Sequence, residues 1–296
     1  MLESITALAP AKINLGLRVF PKRADGFHDI ESIFTLVNLC DEISVHRDGG
    51  NDGRCVVDCE GMNLPEDNTF QRTYKAFCVL TGIRENVHVK VKKHIPAGGG
   101  LGGGSSDSSS FLKSIDIIFG THLKHSALEE ISGQVGSDVF FFTRALEKRE
   151  GKLSEWESFT AVVRGRGEVI EPIESRTDCS ILLVFPGVSV STKDAYALVD
   201  EWQLLHPGNR ESRVAESLEK TYCRSVREWS FINDFAAPVA ERYPKIQQAL
   251  DALRASGADF VDMSGSGSTI FGVFSDRHRA LLAKDLLSGQ WESVLV

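Results

Sequence analysis

The sequence has no excess of basic residues. Its 296 residues include 33 Lys and Arg against 41 Asp and Glu, which gives a formal net charge of -8 at pH 7. Because nucleic-acid phosphates are held mainly by clustered Lys and Arg, and no basic stripe occurs in this sequence, we expect no nucleic-acid partner.

Long apolar runs are also absent. No uncharged apolar stretch approaches the roughly 18 residues that a membrane-spanning helix needs. The first eleven residues include Glu3 and lack the basic start and apolar run of a signal peptide. We therefore expect no membrane partner and a cytoplasmic location. The hydrophobic fraction of 42% and the charged fraction of 25% are typical of a globular protein with a sizeable core.

Cysteines are few and scattered. The six cysteines form no CxxC pair, and a chain of this length does not need disulfides, so we expect reduced thiols. Cys55 and Cys59 with His46 make a poor metal site, because the spacing is irregular and a fourth ligand is missing. The sequence leaves the metal ligands unknown.

The segment before the glycine-rich run has the pattern of a half-buried strand. Val87, Val89 and Val91 alternate with polar residues, which is the period of a strand with one buried face. After the glycines, apolar residues recur at helical spacing from Phe111 to Phe119, and Gly120 is a plausible helix end. The predicted unit is a strand, a glycine-rich loop and a helix that begins around Ser105 to Asp107.

The second half of the chain alternates similarly. It contains, in order, a buried strand at 181–185, a helix at 246–253 that stops near Gly257, a Gly/Ser turn at 264–268, a strand at 269–274 and a helix at 277–287. Strands and helices alternate without a strict βαβ period, which favours the α+β class. The polar segment 164–172 predicts a boundary near Pro172, between domains 1–171 and 172–296.

The glycine-rich run itself predicts a phosphate site. Six of the seven residues from Gly98 to Gly104 are glycine. Such a run loses much backbone entropy on folding, and close approach of backbone N–H groups to an anion is a good reason for it. The N-terminus of the following helix adds further N–H groups. A flexible linker is the alternative, but a strand and a helix border the run directly.

Two common phosphate motifs fit this run poorly. Gly98, Gly100 and Gly103 satisfy the dinucleotide fingerprint, but the candidate acidic residue, Asp116, lies inside the predicted helix. A Walker A loop needs Lys followed by Ser or Thr after its last glycine, whereas Ser105 and Ser106 follow here.

Three segments together resemble the GHMP kinase superfamily. They are Pro10-Ala-Lys-Ile-Asn-Leu-Gly-Leu17, the run from Pro96 to Ser106, and Ser264-Gly-Ser-Gly-Ser268. Further segments resemble the kinases of this superfamily that act on 4-diphosphocytidyl-2-C-methyl-D-erythritol. These are 22–29, 63–68, 136–139, 165–168, 186–192 and Asn233-Asp234, so the resemblance spans nearly the whole chain.

The resemblance implies a two-domain α+β fold with the active site in the interdomain cleft. Residues 1–171 would form the N-terminal ATP-binding domain and residues 172–296 the C-terminal domain. The implied reaction transfers the γ-phosphoryl group of ATP, with Mg²⁺, to the 2-hydroxyl of a cytidine-diphosphate-linked methylerythritol. Lys12 and Asp138 match the catalytic pair of the family: Lys12 near the acceptor hydroxyl, and Asp138 accepting its proton or orienting it.

The resemblance also implies binding residues. The ATP phosphates would be held by Pro96, Ala97, Gly98, Gly99, Gly100, Leu101, Gly102, Gly103, Gly104, Ser105 and Ser106. The substrate would contact Asn14, Phe27, His28, Thr192 and Tyr196, with Phe27 and Tyr196 stacking on cytosine and His28 reading its edge. The loop 264–268 would close over the phosphates or the substrate. The oligomeric state is left open.

The sequence departs from the family pattern at three places. Phe27 replaces the usual Tyr and so cannot donate a hydrogen bond, and Phe140 replaces a Pro after Asp138. Residues 144–159 are longer and more charged than the usual turn, which predicts an exposed excursion. Two alternatives remain: a GHMP kinase for another acceptor, such as homoserine, mevalonate or a sugar, and a non-catalytic sensor that retains the nucleotide pocket.

Overall fold

The computed structural model describes residues 2–147, 149, 152–206 and 217–296. The chain forms two compact units that are not continuous in sequence. Unit 1 comprises Met1–Ala11, Asn38–Ala97 and Gly102–Ser158, and unit 2 comprises Lys12–Val37, Gly98–Leu101 and Phe159–Val296. Two long paired strands, β1 (Ser4–Lys22) and β2 (His28–Arg47), contribute residues to both units.

Unit 1 packs helices against a short sheet. Strand β4 (Val87–Lys92) pairs antiparallel with the end of β2 and parallel with β3 (Cys55–Cys59). The helices are α1 (Thr69–Thr81), α2 (Gly103–Phe119), α3 (His125–Val135) and α4 (Ser137–Leu146). The buried face of β4 packs in one hydrophobic core with aromatic side chains of α1 and α2, where the Phe70 and Phe111 rings meet edge to face at 5.5 Å.

The boundaries of α1 illustrate how the sequence sets these helices. The Asn68 side chain accepts a hydrogen bond from the Gln71 backbone N–H at 3.1 Å, which is an N-cap. Gly82 takes a left-handed φ of 75° and ends the helix. Gly120 does the same after α2, with a φ of 62°.

Unit 2 contains strands of two sheets. Strand β5 (Thr160–Gly165) pairs antiparallel with the first half of β2, and β6 (Val169–Ile173) pairs antiparallel with β5. The separate antiparallel sheet has the order β10-β7-β9-β8. Its strands are β7 (Ser180–Phe185), β8 (Phe260–Met263), β9 (Ile270–Phe274) and β10 (Glu292–Leu295). The helices are α5 (Thr192–Leu205), α6 (Leu218–Tyr222), α7 (Ala236–Arg242), α8 (Pro244–Ala255) and α9 (Arg277–Leu287).

Most predicted elements are confirmed. The α+β class holds, and the predicted strands and helices coincide with β4, β7, β9, α2, α8 and α9. Helix α2 begins at Gly103, slightly earlier than predicted. The six cysteines are free. Pro172, at the predicted domain boundary, lies within β6 and pairs with Ala161. The two compact units are each made of separate stretches of the chain. A division into domains 1–171 and 172–296 stays a prediction.

The expected exposed excursion at 144–159 is wrong in part. Arg144 belongs to α4, and Leu153 is buried against Ala7 and Leu146. The Arg149 side chain is also buried and donates to the backbone oxygens of Glu155 and Glu157 at 3.1 and 2.7 Å. Residues 154–158 are exposed, and residues 148, 150 and 151 lie outside the described residues.

Helices long and apolar enough to cross a bilayer are absent from the described part of the chain.

Candidate active site

The middle of the glycine run, Gly98–Leu101, lies in unit 2 and has a backbone that requires glycine. Gly98 and Gly100 have φ angles of 68° and 76°, in the left-handed region. A Cβ atom on Gly100 would lie 2.1 Å from the backbone oxygen of Ser264. The segment and the loop 264–268 are therefore in direct backbone contact.

Three backbone and side-chain hydrogen bonds hold this segment. The Lys12 N–H donates to the Leu101 oxygen at 2.9 Å, and the Thr269 N–H donates to the Gly99 oxygen at 3.1 Å. The Ser264 hydroxyl donates to the Gly100 oxygen at 3.0 Å. Within unit 2, the structure thus brings together parts of all three segments that resemble the superfamily.

The ends of the run belong to unit 1. Pro96 and Ala97 lead into it, and Gly102 caps α2 with a φ of 72°, its oxygen accepting from the Ser105 and Ser106 N–H groups at 3.0 and 2.9 Å. The first N–H groups of a helix have no partner inside the helix and favour an anion.

The surroundings of this helix end fit a phosphate. The Ser106 hydroxyl is buried and finds no hydrogen-bond partner among the described residues. A Cβ on Gly104 would meet the Thr69 Cγ2 atom at 4.0 Å, an ordinary packing distance, so a methyl group fits beside the protein here without a clash.

Lys12 is buried, with a relative exposure of 3%. Its ammonium donates to the Asn14 side-chain oxygen at 2.7 Å and lies 4.7 Å from the centre of the Phe34 ring. The Asn14 amide nitrogen in turn donates to the Ser32 hydroxyl at 3.2 Å, and Ser32 donates to the Gly16 oxygen at 2.5 Å. This chain of hydrogen bonds fixes the direction of the lysine side chain.

Asn14 itself is fully buried. Both polar atoms of its amide are engaged by Lys12 and Ser32. These bonds favour a role in holding Lys12, and the predicted direct contact of Asn14 with substrate stays a prediction.

Asp138 lies in unit 1, in the first turn of α4, and is half-buried. Helix α2 fixes this turn, because the Ser109 hydroxyl donates to the Val139 oxygen at 3.0 Å. The Thr143 hydroxyl, one turn later in α4, donates to the same serine at 3.1 Å. Helix α4, which carries the predicted catalytic acid, is thus joined to α2 through buried hydroxyl groups.

His28 and Tyr196 form a stacked pair in unit 2, with ring centres 5.0 Å apart. His28 Nδ1 lies 2.8 Å from the Phe20 carbonyl oxygen. Since a carbonyl can only accept, Nδ1 carries a proton. His28 Nε2 lies 3.5 Å from a carboxylate oxygen of Asp200. His28, which is predicted to contact the edge of cytosine, therefore has a defined ring orientation and a neighbouring carboxylate.

The other predicted substrate residues are placed differently. Phe27 is 51% exposed, and the Arg166 guanidinium lies 3.9 Å from its ring centre, so one face of the ring is covered. The Thr192 hydroxyl, at the start of α5, lies 3.3 Å from the Ser266 hydroxyl of the loop 264–268. Their contact with substrate stays a prediction.

Sequence reasoning missed two supporting residues. Ser32, which holds Asn14, carries no motif signal. Asn233 belongs to a segment that resembles the family, but the resemblance gives it no role. Its buried amide donates to the Met263 and Gly265 oxygens at 2.7 and 2.8 Å, and so holds the start of the loop 264–268.

Two protein-family models match parts of this chain. The family model of the GHMP kinases N terminal domain matches residues 68–145, and that of the GHMP kinases C terminal matches residues 215–292.

Individual relatives are similar over nearly the whole chain. A 4-diphosphocytidyl-2-C-methyl-D-erythritol kinase of Treponema pallidum (strain Nichols) is 38% identical, over 98% of this chain and 97% of the relative. The enzyme of that name from Geobacillus thermodenitrificans (strain NG80-2) is 34% identical, over 93% and 90%. A crystal structure of 4-(cytidine 5'-diphospho)-2C-methyl-D-erythritol kinase matches with a TM-score of 0.79 at 25% identity, over 98% of both chains.

Proposed function

Because this chain belongs to the 4-diphosphocytidyl-2-C-methyl-D-erythritol kinases of the GHMP kinase family, we propose that it phosphorylates the 2-hydroxyl of that compound with ATP. This reaction is a step of the non-mevalonate route to isoprenoid precursors. The observation that carries the proposal is the full-length similarity to kinases of that name. The glycine run and the hydrogen-bonded Lys12 support it from within the molecule.

The phosphates of ATP are assigned to the run from Pro96 to Ser106. Gly98 and Gly100 turn the backbone through left-handed conformations, and the N-terminus of α2 supplies N–H groups. The buried Ser106 hydroxyl can donate to a phosphate oxygen. These features together suit a polyphosphate better than a neutral ligand.

Lys12 is assigned to the negative charge that develops during transfer. Phosphoryl transfer depends mainly on positioning and on charge stabilisation, and a buried, oriented ammonium is effective because it needs no reorganisation. Asn14 and Phe34 provide that orientation.

Asp138 is assigned to the acceptor hydroxyl. Its carboxylate would take the hydroxyl proton or orient the hydroxyl for attack. The Ser109 and Thr143 hydroxyls fix the turn that carries it. The proton taken from the substrate would then leave to solvent after transfer.

Mg²⁺ is proposed to enter with ATP. In kinases this ion binds through substrate phosphates, water and one or two carboxylates, and it neutralises charge on the transferred group. A group of three or more His, Cys, Asp or Glu side chains that could hold a metal ion is absent from the described residues, and an ion carried by phosphates does not need such a group. We assign it no protein ligand. A cytoplasmic location is proposed because ATP is the phosphoryl donor.

The cytosine base is assigned to His28 and its neighbours. Because Nδ1 donates to the Phe20 oxygen, Nε2, which lies 3.5 Å from the Asp200 carboxylate, is the ring atom left to face the edge of cytosine. Tyr196 stacks on His28 and is assigned as a second aromatic side chain against the base.

The test is ADP release by the purified chain with ATP and Mg²⁺. The acceptors are 4-diphosphocytidyl-2-C-methyl-D-erythritol, mevalonate and homoserine, and a folded Lys12→Met variant is the matched control. We expect ADP release with the first acceptor only. Release with another acceptor instead would support a different GHMP kinase. ATP binding without release on any acceptor would support a non-catalytic sensor.

A further inference from the structure

Two buried carboxylates and a partly buried lysine lie next to the phosphate-binding run in unit 1. The Lys93 ammonium forms ion pairs with Asp41 and with Asp107, the latter at 2.7 Å. Asp41 is fully buried, and Asp107 has a relative exposure of 3%. The resemblance to the family gives none of them a role.

Asp41 fixes the entry to the run. One of its carboxylate oxygens accepts hydrogen bonds from the backbone N–H groups of His94 and Ile95, at 2.5 and 2.8 Å. Its other oxygen contacts the Lys93 ammonium. The turn between the end of β4 and Pro96 is therefore held by a single buried carboxylate.

Asp107 fixes the exit. It directly follows Ser106, just after the first turn of α2, and its carboxylate accepts from Lys93 at 2.7 Å. Lys93 thereby links the residues just before the run to the residue just after it. Asp107 has a second carboxylate oxygen that is buried and finds no hydrogen-bond partner in the ranges that the structure describes.

The burial of these charges needs an explanation beyond stability. A buried ion pair costs much in desolvation, and well-packed apolar residues often stabilise a protein as well or better. A carboxylate beside a phosphate site would also repel ATP unless a cation neutralised it. Lys93 contacts both carboxylates and supplies one positive charge against the two. Both considerations indicate that the group serves the phosphate-binding run.

We propose that Asp41, Lys93 and Asp107 form a clamp that fixes both ends of the run 96–106 and thereby sets the affinity for ATP. The proposal rests on the assignment of this run to ATP under the proposed function. The three residues are positioning residues, since they act through the backbone of the run. The Arg47–Glu85 ion pair, at 2.5 Å in the same unit, has no such link and serves as the comparison.

The test uses Lys93→Met, Asp41→Asn and the milder Asp107→Asn, with Glu85→Gln as the matched control. Two quantities are measured on the full chain: amide hydrogen exchange at 97 and 102–106 without nucleotide, and the Kd for ATP by calorimetry. We expect faster exchange in the clamp variants and a Kd raised at least about tenfold, the effect of one lost charge-assisted hydrogen bond. The KM of the acceptor should stay near the wild-type value.

Glu85→Gln should lower the Tm without changing either quantity. Clamp variants that lose Tm but retain wild-type exchange and Kd would overturn the proposal, because the group would then be structural only. Faster exchange with an unchanged Kd would overturn its link to ATP. If the wild-type chain binds no ATP, the proposed function fails instead, and the exchange data still decide whether the clamp exists. If Lys93→Met does not fold, Asp107→Asn, which keeps the side-chain shape, decides the outcome.

Discussion

The Asn14 side-chain oxygen accepts a hydrogen bond from the Lys12 ammonium at 2.7 Å, with both residues almost fully buried. Lysine has a long, flexible side chain, and this bond is what gives its charge a defined direction. The proposed role of Lys12 in phosphoryl transfer therefore depends on a neighbour that carries no charge.

Replacement of Asn14 by Leu should lower kcat. The change keeps the approximate volume but removes the acceptor for Lys12, and a buried hydrogen bond to a charged group is worth about 1.5–3 kcal/mol, or roughly tenfold to a hundredfold in rate. Ser32→Ala, which disturbs only the bond behind Asn14, should give a smaller loss of the same kind. Steady-state kinetics decide the matter: a rise in acceptor KM alone, with kcat unchanged in both variants, would indicate that Asn14 contacts the substrate instead.

Replacement of Asp138 by Asn should lower kcat by about 10² to 10⁴, the typical range for loss of a general base. The loss should lie near the lower end if the carboxylate mainly supplies charge and position, because a dissociative transition state needs little help from a base. The Kd for ATP should change little. The comparison requires circular dichroism to confirm folding, and a folded variant with more than about half of the wild-type kcat would remove Asp138 from the mechanism.

Glycine substitutions separate ligand contact from protein packing. Gly104→Ala adds a methyl group that meets the Thr69 Cγ2 atom at 4.0 Å, an ordinary packing distance, so the Tm should be nearly unchanged. If phosphate lies against this residue, the Kd for ATP should rise at least about tenfold, as expected for a contact of about 1.4 kcal/mol. Gly100→Ala should lower the Tm, because its Cβ would lie 2.1 Å from the Ser264 oxygen. Unchanged ATP binding by folded Gly104→Ala would place the phosphates elsewhere.

The Asp107 carboxyl predicts a pH dependence of stability. Burial raises its pKa from 3.8 to about 7, because desolvation outweighs the attraction of the Lys93 ammonium. A raised folded-state pKa gives a stabilising contribution that is complete below pH 3.8 and is lost as the pH rises through about 7. The free energy of unfolding should therefore fall between about pH 4 and 8 more steeply in the wild type than in Asp107→Asn. Denaturant titrations across this range provide the measurement, and parallel curves would contradict the assignment.

The base specificity follows from the hydrogen bond of His28 Nδ1 to the Phe20 oxygen. This bond leaves Nε2, beside the Asp200 carboxylate, to face the base, and the edges of cytosine and uracil differ in their donor and acceptor groups. The uridine-diphosphate analogue should have a kcat/KM at least about a hundredfold lower, since sites built around hydrogen bonds discriminate strongly. Equal kcat/KM for the two analogues would refute this role of His28.

Local patterns in the sequence predict much of this fold. The alternation of Val87, Val89 and Val91 marks β4 because one face of a half-buried strand repeats every second residue. Helix α9 matches its predicted range. Helix α2 starts before its predicted position: its first two residues are glycine, and the Gly102 oxygen already accepts from the Ser105 and Ser106 N–H groups. The pattern of polar and apolar residues alone could not indicate that this glycine-containing start of α2 is helical.

Contacts between distant residues could not be predicted in the same way. Ser32 lies 18 residues from Asn14, and Asn233 lies 30 residues from Met263, so no local period reports either bond. A charged residue such as Arg149 is expected at the surface from sequence alone, because its hydrogen bonds to the backbone oxygens of Glu155 and Glu157 form only in the folded chain. The resemblance to the family predicts which residues react, whereas the residues that support them could be identified only from the coordinates.

The chain changes unit at 11/12, 37/38, 97/98, 101/102 and 158/159. A cut at any single peptide bond therefore fails to release either unit intact; even a cut at 158/159 leaves residues 12–37 and 98–101 of unit 2 on the first fragment. Neither unit can be cloned, duplicated or lost as one continuous stretch of the gene. A truncation after residue 158 would retain both Lys12 and Asp138 but would leave the first half of β2 without β5, its antiparallel partner.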